Sequence, residues 1–225
     1  MKLKELLEKF TLEDSDEREC IGNNPFTALQ EPPLQFKEVA KTILSGHFLV
    51  ENASDNDDVR KVYPTCVEIY YHEEQEGGVK DPIVYHRNRK KTENFEIKPP
   101  LFPLGVLHNH VSGIDITFEQ EANANNKKIT GIVRASALIR EFKVKDKDGK
   151  WVEFTKIKND KEEKYDIEDR STYIYDYLFG QFSIFDGFTI RWEDDEECDL
   201  EEPSLRKNVF EYQSKEFDYE KNPTM

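Results

Sequence analysis

The chain has 225 residues, of which 36% are hydrophobic and 35% charged, and its formal net charge is −15. This length is typical of one domain with a substantial core, and the 12% aromatic content argues against a disordered chain. No window approaches the roughly 20 apolar residues that a membrane-spanning helix needs, so we expect no membrane partner.

Helical spacing of apolar residues predicts two helices near the start of the chain. Leucines and a phenylalanine recur at this spacing in 2–10, and a second apolar face of the same period covers 34–45. Strands are predicted over 47–51 and 61–72, because both are rich in β-branched and aromatic residues. The intervening residues 11–33 are polar and rich in Pro and Asn, which favours a loop.

The second half of the chain is predicted to be mainly strands. Its elements, in order, are strands over 101–110 and 112–118, a long strand over 132–144, a hairpin turn at Asp148-Gly149, a charged linker over 158–169, a helix over 172–179 and a strand over 184–192. Short turns between strands favour antiparallel pairing. We therefore expect a single-domain α+β fold with a mixed, largely antiparallel curved sheet flanked by helices.

Charge and composition divide the chain into three regions. Residues 1–33 are predicted to be an N-terminal helix and loop, 34–193 the main domain, and 194–225 an acidic C-terminal tail that could contact a protein partner. The three cysteines are too far apart for a CxxC pair, which fits a reducing compartment. The N-terminus has no pattern of a secretory signal, so we expect a cytoplasmic protein.

Histidines and two carboxylates are concentrated in the middle of the chain. Four of the five histidines lie at positions 72, 86, 108 and 110, while Glu68 and Asp115 interrupt the apolar runs CVEIYY and SGIDITF. A charged residue in such a strand either points to solvent or lies in a cleft. The tripeptide HNH at 108–110 places two imidazoles on one face of a strand, where Glu119 or His86 could complete a metal site.

A basic run at 87–91 could follow a nucleic-acid backbone, with Arg87, Arg89 and Lys90 as the phosphate contacts. Residues 61–150 hold 15 basic and 13 acidic side chains, a net of +2. Residues 1–60 carry a net of −6 and residues 151–225 a net of −11. The middle of the chain is therefore the part that does not repel a polyanion. A solvated basic loop is the alternative.

Five segments follow the order of motifs in a known family. They are FKEVAKTILSGHFLVE at 36–51, VEIYYH at 67–72, DPIVYHRN at 81–88, FPLGVLHNHVSGIDITFE at 102–119 and ASALIREF at 135–142. In this order they resemble the alkyladenine (3-methyladenine) DNA glycosylase family, of which the chain would be a divergent member. The resemblance covers about 36–142 and implies an α+β fold with a curved sheet.

The resemblance implies an enzyme that removes alkylated purines from double-stranded DNA, without a cofactor. In that family a glutamate activates water, which attacks the anomeric carbon of a nucleotide flipped out of the duplex. Glu68 matches this catalytic residue. The residues that match base or substrate contacts are Tyr70, His86, His108, Asp115 and Arg140, with Arg134 as the alternative to Arg140.

The alignment of one strand leaves two interpretations open. If VEIYYH is laid directly on the family motif VETEAY, Tyr70 and not Glu68 occupies the catalytic position, and the chain would be a binding module without chemistry. A metal-dependent hydrolase that uses His108, His110 and Glu119 or His86 is the third possibility.

Overall fold

The structure is a computed structural model. It describes residues 2–10, 34–52, 59–74, 84, 87, 89–92, 95–121, 131–180, 185, 187–195, 204–206 and 209–213. This part of the chain has an α+β fold in which a mostly antiparallel, curled sheet is accompanied by short helices. None of the helices in these ranges is long and apolar enough to cross a bilayer.

The helices are α1 (Leu3–Glu8), α2 (Leu34–Leu44) and α3 (Ile174–Leu178), and a 3-10 turn at Ser171–Tyr173 leads into α3. The strands, in chain order, are β1 (Gly46–Asn52), β2 (Val59–Glu73), β3 (Arg89–Thr92), β4 (Phe95–Ile97), β5 (Leu107–His110), β6 (Gly113–Thr117), β7 (Gln120–Glu121), β8 (Ile132–Lys145), β9 (Phe154–Lys158), β10 (Lys161–Tyr165), β11 (Phe188–Asp194), β12 (Ser204–Arg206) and β13 (Val209–Gln213).

The main sheet has the strand order β11-β1-β2-β8-β6-β5, and every pair in it is antiparallel. Strand β8 pairs along nearly all of β2, so β1 and β13 share the opposite edge of β2. β7 adds to β8, while β3–β4 and β9–β10 form separate two-stranded sheets. The largely antiparallel sheet expected from the sequence is confirmed.

In each of the two longest strands, the alternation of core-facing and outward-facing residues is interrupted near the middle. Val62 and Val67 of β2 both belong to the core, although an odd spacing of five places residues on opposite faces of a regular strand. The register of β2 shifts on either side of Cys66, as expected for a β-bulge. On β8 the core residues change face likewise between Ile139 and Phe142.

The core lies on the face of the sheet that α1, α2 and α3 cover. Its aromatic centre joins four rings: Phe10 lies 6.1 Å from Phe36, 5.9 Å from Tyr71 and 4.9 Å from Phe118, between ring centroids. Burying side chains of this size stabilises a fold by about 1.5–3 kcal/mol each. α1 and α2 are therefore held on the sheet mainly by their apolar faces, as the helical spacing predicted.

The two ends of the sheet approach each other because the sheet curls. Phe48 and Trp192, from β1 and β11, line the same apolar pocket of about 260 Å³ as Leu107 and Ile116, from β5 and β6. α1 closes this pocket on a further side. We refer to the face of the sheet opposite the core as the polar face.

The prediction of a charged linker over 158–169 is wrong. Residues 154–165 form the hairpin β9–β10, in which Lys158 pairs with Lys161. Asn159 and Asp160, at the tip, have φ angles of 51° and 59°. A tight hairpin turn requires positive φ at both central positions, and Asn and Asp tolerate this better than most residues. The strands lack apolar alternation, and the sequence pattern therefore did not indicate them.

Residues 194–225 were predicted to be an acidic extension, and part of this range belongs to the main sheet. β12 pairs with β13, and β13 pairs with β2, where Glu211 lies opposite Glu68. Residues 196–203, 207–208 and 214–225 lie outside the described residues. The boundaries predicted for the three regions stay predictions.

Candidate functional site

Four strands, β2, β5, β6 and β8, carry predicted site residues onto the polar face. Glu68 of β2 and Asp115 of β6 both lie opposite Leu138 of β8, so the two carboxylates share one row across the sheet. Asp115 in turn lies opposite His108 of β5. Because the bulge in β2 precedes Glu68, Glu68 and Tyr70 point away from the core.

Glu68 is held by two polar partners. The hydroxyl of Tyr70 donates to Glu68 Oε2 at 2.6 Å, and Arg140 Nε lies 3.5 Å from Glu68 Oε1. Glu68 is 6% exposed, so this ion pair is only weakly screened by solvent. A carboxylate can accept about four hydrogen bonds, which leaves acceptor sites on Glu68 for a further donor such as water.

Arg140 has donors to spare on the side of this site. Its side chain is 21% exposed, and Glu68 is the carboxylate with which it pairs. Among the described residues, no hydrogen bond is formed by Arg140 Nε. A guanidinium carries five N–H donors in a planar fork that suits phosphate and carboxylate groups. Arg140 is therefore positioned to bind an anion beside Glu68.

The environment of Tyr70 keeps its hydroxyl protonated. Burial raises the pKa of Tyr70 far above its ordinary value, and the negative charge and hydrogen bond of Glu68 and the charge of Asp115 raise it further. Arg140 lowers this pKa by a smaller amount. Tyr70 is consequently a hydrogen-bond donor throughout the neutral range, within electrostatic reach of both carboxylates.

His108 and Asp115 form the other side of the site. Asp115 Oδ2 lies 3.8 Å from His108 Nδ1, a distance that suits charge attraction better than a hydrogen bond. The His108 ring also packs against Phe102, with 4.4 Å between ring centroids. The side chains are 16% and 5% exposed for His108 and Asp115, so the imidazole is the more accessible of the two.

Arg134 lies further along β8 and has a structural role. Its guanidinium, 1% exposed, donates to Glu119 Oε2 at 2.7 Å and to Glu74 Oε1 at 3.2 Å. It also donates to the carbonyl oxygens of Pro99 at 2.9 Å and Pro100 at 2.8 Å. Arg134 thereby fastens the segment before β5 to the sheet. Of the two candidate arginines, Arg140 is the one that contacts Glu68.

The sequence did not indicate this network, because the pairing of Glu74 with Arg134 follows from strand register. Glu119 was a candidate metal ligand and is instead engaged by Arg134 and by the backbone N–H of Phe102 at 2.9 Å. His110 Nδ1 accepts from the N–H of Ser112 at 3.2 Å. Across the residues that the structure describes, no group of three or more His, Cys, Asp or Glu could hold a metal ion.

The remaining predicted residues either have other partners or lie outside the described ranges. His86 is among the residues that the structure does not describe. Arg87 donates from Nη1 to the carbonyl oxygen of Val84 at 2.6 Å. Arg89 and Lys90 belong to β3, which pairs with β4 and not with the main sheet. The structure therefore brings together Glu68, Tyr70, His108, Asp115 and Arg140.

Comparisons with known proteins add no relative to this description. No protein-family model matches the chain, and searches of the curated proteins and of the solved structures found no significant match.

Proposed function

We propose that the protein is an N-glycosidase that excises alkylated purine bases from DNA, as a divergent relative of the alkyladenine DNA glycosylases. The observation that carries this proposal is the pair of buried carboxylates, Glu68 and Asp115, on one row of the polar face with Tyr70 and Arg140 beside them. The order of sequence motifs over 36–142 and the curled antiparallel sheet agree with it.

The proposed reaction uses direct attack by water between the strands of Glu68 and Asp115. Glu68 and Asp115 lie on strands two positions apart, which separates their backbones by about 10 Å. Glycosidases in which water attacks directly hold their carboxyl groups about 6.5–9.5 Å apart, leaving room for water and sugar between them. In the proposed reaction Glu68 accepts a proton from the water that attacks the anomeric carbon.

The other residues act on the base and the developing charge. Positive charge builds on the sugar as the C–N bond breaks, and the carboxylate of Glu68 stabilises it. Asp115 and His108 face the base edge, where a protonated imidazole can donate to the leaving purine. Arg140 binds the phosphate next to the flipped nucleotide. The electron pair of the broken bond and the proton from His108 leave with the base, and the hydroxyl of the water remains on the sugar. The water proton held by Glu68 is then released to solvent, from which His108 regains the one it gave.

A binding module without chemistry is the second candidate. It is favoured by the fact that both oxygens of Glu68 are already engaged, one by Arg140 and one by Tyr70. In this case the same cluster recognises a damaged base but does not cleave its bond to the sugar.

The test is release of free base from methylated duplex DNA by the purified protein. We expect release without strand cleavage, and loss of release in the variant Glu68→Gln. The matched control is Glu73→Gln, since Glu73 lies on the core face of the same strand and accepts from Tyr71 at 2.8 Å. Activity that survives Glu68→Gln would contradict the catalytic role. Binding of methylated DNA without release would favour the binding module.

A further inference from the structure

A second cluster lies on the polar face, beyond the bulge from Glu68. It consists of Lys61, Tyr63, Lys143, Lys145 and Trp151, and we call it the lysine–aromatic patch. Lys61 lies opposite Lys145, and Tyr63 opposite Lys143, on the paired strands β2 and β8. Trp151 joins them through a bridge to Lys145. The patch therefore lies on the same face of β2 and β8 as Glu68 and Arg140, further along the two strands.

Lysine ammonium groups lie close to both aromatic rings of the patch. Lys143 Nζ and Lys145 Nζ lie 4.4 Å and 4.5 Å from the ring centroid of Trp151, and Lys145 Nζ lies 5.2 Å from that of Tyr63. The two rings meet edge to face at 5.3 Å. Trp151 is 39% exposed, so much of its indole surface is accessible to solvent. A large exposed ring next to ammonium groups can stack on a base whose phosphates the lysines bind.

Two of the three lysines of the patch, Lys61 and Lys145, have no ion-pair partner among the described residues. Lys143 pairs with Asp166 at 2.9 Å, and the nearby acids Glu193 and Asp195 pair with His47. Among the described residues, no carboxylate lies within ion-pair distance of Lys61 or Lys145. Both lysines are half-buried.

Like charges directly opposite each other destabilise a sheet, and partial burial increases their repulsion. The chain has 47 acidic residues and 32 basic ones. A pair of lysines without carboxylate partners therefore contrasts with the excess of negative charge in the chain as a whole. An anionic ligand would remove this repulsion.

We propose that the lysine–aromatic patch binds single-stranded nucleic acid. Lys61 and Lys145 contact successive phosphates, and Trp151 stacks on a base. The inference rests on the proposed function in taking DNA as the ligand, but the patch would bind whether or not the Glu68 site cleaves. With a nucleotide bound at Glu68, the patch would hold the nucleic-acid strand that leads away from this nucleotide along β2 and β8.

The experiment measures fluorescence anisotropy of a labelled oligothymidylate of about 16 nucleotides, a length at the upper end of common binding-site sizes. We expect Lys61→Ala/Lys145→Ala to weaken binding about tenfold at low salt and to reduce the salt slope by about 1.4, or 0.7 per lost phosphate contact. Trp151→Ala should also weaken binding about tenfold, and Trp151→Phe should restore most of it. These exposed or half-buried positions allow the variants to fold, which circular dichroism verifies.

The matched control is Lys158→Ala/Lys161→Ala, because these lysines also lie opposite each other but on the separate hairpin. It should leave binding unchanged. Equal binding by the wild type and the Lys61/Lys145 variant would overturn the inference, as would an equal loss in the control. Glu68→Gln separates the two proposals: it should abolish base release and keep oligonucleotide binding. Base release with an inert patch contradicts this inference alone, and binding by the patch without base release contradicts the proposed function alone.

Discussion

Tyr70 donates its hydroxyl hydrogen to Glu68 across two positions of β2, at 2.6 Å. The same strand repeats this relationship on its other face, where Tyr71 donates to Glu73 at 2.8 Å. One pair lies on the polar face with an arginine and a second carboxylate nearby, and the other lies within the core. Strand β2 thus contains one Tyr–Glu pair in the candidate site and a second Tyr–Glu pair in the core, with which the first can be compared.

Tyr70→Phe should change how stability depends on alkaline pH. The pKa of Tyr70 is higher in the folded chain than the value of about 10 of an unfolded tyrosine, so above pH 10 the unfolded chain binds fewer protons. The free energy of unfolding therefore falls as pH rises past about 10, and Tyr70 contributes nothing to this slope at lower pH. The variant should lose up to about 1.4 kcal/mol per pH unit of that slope.

Urea unfolding between about pH 9 and 11 measures this slope. Tyr63→Phe is a comparison, because burial and the charges of Asp195 and Glu193 raise the pKa of Tyr63 to about 12. It should flatten the same part of the profile. An alkaline slope that is identical in wild type and Tyr70→Phe would contradict the raised pKa.

Arg134→Met should destabilise the fold much more than Arg140→Met. Removal of the Arg134 guanidinium leaves Glu119 and Glu74 buried without their cation, which costs about 3–5 kcal/mol. Arg140 makes one ion pair, without a hydrogen bond from its Nε, and Glu68 keeps the hydroxyl of Tyr70 as a partner, so loss of Arg140 should cost less. Urea unfolding at neutral pH compares the two variants of the same strand. Equal losses would show that the Arg134 network does not anchor the segment before β5.

Gly46→Ala should destabilise the start of β1. A Cβ at Gly46 would lie 2.7 Å from the carbonyl oxygen of Glu193 and 2.9 Å from Cε2 of Trp192, closer than packed atoms allow. Overpacking of this kind costs about 1–3 kcal/mol. Thermal unfolding and the emission of Trp192 should both report the change. An unchanged melting temperature would mean that β11 does not pack on Gly46 this closely.

Tyr175→Phe should loosen the hairpin β5–β6. The Tyr175 hydroxyl accepts from the N–H of His110 at 2.8 Å and shares its single hydrogen between the carbonyl oxygens of His110 and Gly113. Without it these backbone groups lose a partner, at a cost of about 1–3 kcal/mol where they are buried. Hydrogen exchange of the His110 amide should accelerate, while the amide of Val144 in the sheet centre should be unaffected.

The sequence predicted most helices and strands because apolar periodicity determines which face is buried. The phase change of β8 was visible in the change from Ala135, Ala137 and Ile139 to Phe142 and Val144. Strand pairing was not visible, since register depends on contacts between distant segments. The Arg134 network and the lysine–aromatic patch both depend on such pairing, and neither has a local motif.

Strand geometry explains why the two alignments, with Glu68 or with Tyr70 at the proposed catalytic position, point to the same face of the sheet. The two residues differ by two positions and therefore lie on the same face, about 6.7 Å apart along the strand. Either alignment with the family motif brings a side chain to the polar face of the sheet. Sequence alone could place the site on β2, but the contacts of Arg140 and Asp115 were needed to relate each residue to its neighbours.

The bulge at Thr65 and Cys66 determines which of the later residues of β2 reach the polar face. If the same residues formed a regular strand without the bulge, everything after Cys66 would be rotated by half a turn. Glu68, Tyr70 and His72 would then enter the apolar interior, and Val67, Ile69 and Tyr71 would emerge into water. The extra residue in β2 is what allows one continuous strand to present Lys61 at one end of the polar face and Glu68 at the other.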